Sequence, residues 1–280
     1  MSTFIKHTGR KNAVIYNTSD WHCGSKAFHK RAAKKLIQRV IDEDAFLTFG
    51  GDALEGKPTK SAHFDPDSLM KSLITIEQQV DYFVDIMKPV ADKLLLVQMG
   101  NHELYLMPDL NVTKLICSKL GRDDIYGDYQ SWVQFGNVDM HFWHGRPSMP
   151  RGAKDPIQRE ANQKAWLKNK MFGLAGSANA QYMGHTHQCM IVPPIEQYAL
   201  LNNGENVRGR YFTEQVRDIN GDKWVSPDAR WYVNTGTLRR GGGFDSMDYS
   251  EVAGYTPPAI ACTKTTIKNG RIVNIEKVML

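Results

Sequence analysis

The sequence has few cysteines and no spacing that would pair them. Cys23, Cys117, Cys189 and Cys262 are scattered along 280 residues without a CxxC motif. That argues against a thiolate metal site or a disulfide framework, and for reduced thiols in a cytoplasmic protein. Long apolar runs are missing as well. No segment approaches the ~20 residues of a membrane span, and the opening MSTFIKHTGRKNAVIYN lacks the apolar stretch of a secretion signal. No membrane partner is expected. Internal repeats and low-complexity tracts are absent, and no shift in composition marks a second domain. Residues 1–280 are therefore expected to form a single domain.

What is present is an ordinary globular balance. Hydrophobic residues make up 41% and charged residues 23%, so a chain of this length can bury a full core. The formal charge of +5 favours anionic partners, phosphate compounds among them, but is too small to name nucleic acid.

Strand and helix patterns alternate. Ala13–Tyr16 reads as a buried strand running into Ser19-Asp20-Trp21-His22. Phe28–Val40 has helical spacing, with Ala33, Leu36, Ile37 and Val40 on one face. Ala45–Phe49 is a second strand leading to Gly50-Gly51-Asp52, completing a strand-helix-strand unit of an α/β fold. Residues 56–68 read as a surface loop, Leu69–Met87 as a helix that Pro89 ends, and Lys93–Met99 as a buried strand entering Gly100-Asn101-His102-Glu103. A helix over Val112–Leu120 precedes two strands, Tyr129–Phe135 and Val138–Trp143, the second ending at His144-Gly145. Pro156 opens a further helix, and Tyr182-Met183 closes a short strand before Gly184-His185-Thr186-His187. Residues 191–280 read mainly as strands and loops, with a terminal hairpin at Lys268-Asn269-Gly270.

Four or five of these strands stop at a residue able to bind metal. Loops beyond the carboxyl ends of strands in α/β sheets share one edge, so scattered side chains become one site. The candidates are Asp20, His22, Asp52, Asn101, His144, His185 and His187. Asp20-x-His22 and His185-x-His187 each put two side chains on the same side of an extended segment. A carboxylate has two oxygens with which to bridge cations. Imidazole favours Mn, Fe, Co, Ni or Zn over a purely Mg site. Taken singly, each motif fits a cap or a turn; their joint order does not. His141 competes with His144, which is preferred because it sits at the strand-to-glycine transition. His7, His29 and His63 have no motif around them and read as surface histidines.

In these five motifs, in this order, the chain resembles the calcineurin-like metallophosphoesterase superfamily over about residues 13–190. The resemblance implies a four-layer α/β sandwich, two mixed β-sheets flanked by helices, with residues 191–280 completing the second sheet and Asn234-Thr235-Gly236 close to the site edge. It implies that Asp20, His22 and His187 hold one divalent ion, that Asn101, His144 and His185 hold a second, and that Asp52 bridges them. Manganese is the first expectation, with Fe, Zn, Co or Ni as alternatives. His102 stays off the metals and serves the substrate. Glu55 stands where many relatives carry aspartate, a departure outside the implied ligand set.

The function expected is hydrolysis of phosphate esters by metal-activated hydroxide between two cations roughly 3.5–4 Å apart, with His102 as proton donor to the leaving oxygen. Arg146, Arg239 and Arg240 are candidates for binding phosphate oxygens. A DNA exonuclease or endonuclease fits the same core, and a noncatalytic metal-binding scaffold is the alternative of a different class. No sequence feature establishes a dimer surface.

Overall fold

The computed structural model describes residues 2–57, 66–146, 148–150, 152–212, 216–219, 221–241 and 257–280. His63, most of the expected loop at 56–68, and Gly242-Gly243 lie outside the described residues.

The chain begins with β1 (Ser2–His7), β2 (Ala13–Thr18), α1 (Lys30–Asp42) and β3 (Phe46–Phe49). The apolar stripe of α1 is buried at Ala32, Ala33, Leu36, Ile37 and Val40. His29 is not a free surface histidine: its ring caps α1, accepting from the Ala32 amide at 3.1 Å and so satisfying one of the unpaired amides of the first turn. Truncating a fully buried side chain such as Leu36 to alanine costs about 2–5 kcal/mol.

Next come α2 (Ile76–Met87), β4 (Leu94–Gln98), the single turn α3 (Asn101–Leu104) and α4 (Val112–Lys119). α2 starts seven residues later than the spacing from Leu69 predicts. A capping box sets its start: the Thr75 hydroxyl accepts from the Gln78 amide, and the Gln78 side chain accepts from the Thr75 amide. Leu69 and Met70 are meanwhile held beside Ser25 and Gly24. The following elements are β5 (Tyr126–Gly127), β6 (Gln130–Phe135), β7 (Val138–Trp143), α5 (Pro156–Met171), β8 (Ala180–Met183) and β9 (Cys189–Val192). Pro156 does open α5, with Asp155 as its cap.

Two hairpins follow, β10 (Gln197–Asn202) with β11 (Val207–Phe212), and β12 (Val216–Ile219) with β13 (Asp222–Val225). The chain then returns through β14 (Trp231–Thr235), β15 (Ala261–Lys268) and β16 (Arg271–Met279).

Two six-stranded mixed sheets form the middle of the molecule. One has the order β16-β15-β2-β3-β4-β5 and the other β1-β6-β7-β8-β14-β9. Ile15, Leu95, Phe135, Met140, Tyr182 and Val233 belong to the core shared by the two sheets. A second core packs α1, α2 and α4 on the first sheet, and a third packs α5 on the other. This is a four-layer α/β sandwich. β1 escapes sequence reading because only Ile5 of its six residues is buried.

The expectation that residues 191–280 complete the second sheet needs a correction, because β15 and β16 extend the first sheet beside β2. β9, β14, β15 and β16 do join the sheets, but the two hairpins between β9 and β14 join neither. β9 runs antiparallel to β14, so the chain leaves and re-enters the sheet at the edge opposite the carboxyl ends of β7, β8 and β14.

Candidate metal centre

Parallel pairing decides where the motif residues meet. β2, β3 and β4 run parallel in one sheet, and β7, β8 and β14 run parallel in the other. The carboxyl ends of the first five lead into Asp20, Asp52, Asn101, His144 and His185, and Asn234 is the penultimate residue of β14. The site lies where these two triplets of strands end, as convergence at the carboxyl edge requires.

Backbone geometry marks the same place. Seven non-glycine residues among those described have positive φ, and five of them are Asp20, His22, Asp52, His185 and His187. Such conformations cost energy and persist where surrounding bonds enforce them. Here the enforcement is visible. The Asp20 amide donates to the Gly51 carbonyl at 2.9 Å, and the Trp21 and His22 amides donate to the Asp52 carbonyl at 3.0 and 3.1 Å. The motif glycines allow close approach. A Cβ on Gly100 would lie 2.2 Å from the Asp52 amide nitrogen, and one on Gly184 would lie 2.6 Å from Asp20 Oδ2.

Side chains then gather in overlapping groups. Asp20, His22 and His187 form one set whose ligand atoms are close enough to share a metal ion, and Asp52, His144 and His185 form another; a further group, His22, Glu55 and His102, overlaps the first at His22. His22 Nε2 and His187 Nε2 face each other at 3.1 Å, with Asp20 Oδ1 3.4 Å from His187 Nε2. Asp52 Oδ2 lies 3.1 Å from His144 Nε2 and 3.9 Å from His22 Nε2, so this one carboxylate stands between the two sets. Asn101 Oδ1 is 3.1 Å from His144 Nε2 and 2.7 Å from His185 Nδ1. The seven ligand candidates are thus assembled at one locus. His141 lies inside the sheet, and neither of its ring nitrogens makes a hydrogen bond.

The electrostatics follow from burial and charge. Burial pushes the Asp52 carboxyl up, but the surrounding histidines, His144 first, hold it well below the usual range. Asp20 is likewise lowered: burial opposes ionisation, and His187 and His144 overcome it. His144 is pushed up to about 10, because the charge of Asp52 outweighs the cost of burial. His22 goes the other way, down to about 4, since burial dominates there. These donors fit a divalent ion. Two buried carboxylates are held low by the histidines around them, and the Nε2 atoms of His22 and His187 face each other at 3.1 Å, a mixed oxygen and imidazole donor set that suits a transition-metal ion.

A layer of supporting contacts holds the candidate ligands in place. Glu103 accepts from the Gly100 and Asp52 amides with one oxygen and from the Leu54 amide with the other, so it ties two motif loops together as well as capping α3. Ser19 donates to Asp20 Oδ2. Thr237 donates to the Asp20 carbonyl at 2.6 Å, and Asn234 Nδ2 donates to the Gly184 carbonyl at 3.2 Å. Asn234-Thr235-Gly236 therefore does border the site. The only sequence hint of these roles is adjacency to the ligand motifs. Trp21, which could have lined a pocket, is fully buried against Phe28, Phe49 and Phe83. His7 is half-buried, its Nε2 2.8 Å from the Leu95 carbonyl.

His102 Nδ1 bonds to the Glu55 carbonyl, and the His102 amide donates to Asp52 Oδ1 at 2.9 Å. Burial lowers its basicity, but Asp52 and Glu55 more than reverse this, and the imidazole is raised above its ordinary value. Arg146 is exposed and lies over the Tyr105 ring at 5.1 Å, while that ring is 6.3 Å from His102. Arg240 donates to the Lys26 carbonyl at 2.9 Å, and the Arg239 backbone pairs with Phe28.

All four cysteines are free thiols. Among the described residues, no helix is long and apolar enough to cross a membrane. Comparison with protein-family models gives no match, and comparison with curated proteins gives none either.

Proposed function

We propose that the chain, as a single metallophosphoesterase domain spanning residues 1–280, hydrolyses phosphate esters with two divalent ions, manganese first among the candidates, and works in the cytoplasm. The observation that carries this reading is the position of Asp52 between His22 of one ligand set and His144 of the other. Asp20, His22 and His187 would hold one ion; Asn101, His144 and His185 the other; Asp52 both. When bound, the ions would supply a nucleophile at neutral pH and offset phosphoryl charge.

The chain's own residues account for the remaining steps. His102, with Nδ1 committed to the Glu55 carbonyl and its basicity raised by Asp52 and Glu55, keeps a proton for the leaving oxygen at Nε2. Arg146, steadied by stacking on Tyr105, anchors a nonbridging phosphate oxygen at the rim; Arg239 and Arg240 are weaker candidates for the same task.

The test loads the metal-free chain with Mn²⁺ and assays p-nitrophenyl phosphate, bis-p-nitrophenyl phosphate, cyclic nucleotides and labelled single- and double-stranded DNA in parallel. Turnover of small esters with two ions bound supports the reading. DNA cleavage at catalytic enzyme concentrations would assign a nuclease instead. Metal binding without turnover of any substrate would leave a scaffold.

A further inference from the structure

Glu55 is a carboxylate that the metal assignment above leaves without a task, yet it is only 3% exposed. A buried carboxylate needs partners to offset its lost hydration. Lys57 supplies one, its Nζ 2.8 Å from Oε1. The other oxygen, Oε2, lies 3.3 Å from His22 Nδ1. Both of those atoms are buried, and neither makes a hydrogen bond. Each is therefore unsatisfied, and each faces the group that could satisfy it. On the far side of the same ring, Nε2 meets His187 at 3.1 Å.

We infer that Glu55 is a positioning residue for His22: its carboxylate holds the hydrogen on Nδ1 and turns Nε2, with its lone pair free, toward the ion that Asp20 and His187 share. The ring has two nitrogens, and which one binds metal is set by the bond the other makes. Glutamate at this position has the reach that matters. Its backbone carbonyl is already used by His102, while its side chain extends to a different histidine. Lys57, bound to the outer oxygen, keeps the carboxylate from swinging inward and becoming a ligand itself. This inference rests on the dinuclear reading for its metal but not for its contact.

The experiment uses the full metal-free chain with two readouts. Calorimetric titration with Mn²⁺ counts the ions and their affinities, and long-range ¹H–¹⁵N correlation spectra report the tautomer of His22. The wild-type ring should carry its hydrogen on Nδ1. Glu55→Ala should weaken one of two ions by about 10–100-fold, leave the other essentially unchanged, and release the tautomer. Glu55→Gln, whose amide oxygen still accepts, should retain the tautomer and most of the affinity. Glu55→Asp, one methylene short, should behave like alanine, and it carries the test if the alanine variant does not fold. An Nε2–H tautomer in the wild type overturns the inference, as does equal weakening of both ions or no change in either. A wild-type chain that binds no metal sinks the dinuclear reading alone, because the tautomer still decides the Glu55 contact.

Discussion

The two edges of the β-sandwich differ in what they ask of each residue. At the carboxyl edge, where β2, β3, β4, β7, β8 and β14 end, Asp20, His22 and Asp52 are buried on positive-φ backbone, and His144 is buried beside them. At the opposite edge, the chain between β9 and β14 forms hairpins outside both sheets, and Tyr198, Leu200, Val207 and Tyr211 are exposed. β7 connects the contrast within three residues. His141, in the sheet interior, is lowered to about 4 by burial; His144, at the carboxyl edge, is raised to about 10 by Asp52. The same residue type takes opposite character from its position along one strand.

The contrast can be broken most directly at Asp52. Asp52→Asn should lower hydrolysis by at least on the order of 10³-fold and reduce metal occupancy, while the circular dichroism of the metal-free chain stays that of wild type. Wild-type turnover in this variant would remove the basis for the site. His102→Ala separates chemistry from metal binding. Its kcat should fall by roughly 10²–10⁴-fold with metal stoichiometry intact; a parallel loss of metal would make His102 a ligand.

The third change sharpens the comparison of the two histidines. An unfolded histidine titrates near about 6.5, and the folded His141 near about 4. Between these values the unfolded chain binds the extra proton, so His141 contributes stability above about pH 6.5 that is lost as pH falls toward 4, on the order of 3 kcal/mol. His141→Phe should flatten that part of the urea-unfolding profile of the metal-free chain. An identical acid dependence in both proteins would show that burial does not govern this ring. The smallest effect belongs to the opposite edge. Tyr198→Ser with Leu200→Ser should leave turnover at the wild-type level and stability within about 0.5 kcal/mol; a large loss of activity would mean that the two edges are coupled.

Much of this organisation was readable before any coordinates. Helical spacing located the buried face of α1, because periodicity is a local property. The order of the motifs after strands pointed to one cluster of candidate metal ligands, since a parallel sheet sends such loops to one edge. The start of α2 was missed because one capping box outweighed seven apolar-spaced residues. β1 was missed because an edge strand with one buried residue has no pattern to read. The supporting contacts of Glu103 with Asp52 and of Thr237 with Asp20 join residues far apart in the chain, which no window of sequence contains.

Local order along the chain fixes which residue types stand at the ends of which strands, and so the chemistry available at one edge. Packing of the two sheets is what sets Asp52 between two histidine sets, brings the Glu55 carboxylate against His22 while its carbonyl bonds His102, and shifts His141 and His144 in opposite directions. The physical reason is distance. Propensity and periodicity act between neighbours along the chain, whereas charge, burial and hydrogen bonding act between whichever groups the packing of two sheets brings within a few ångströms.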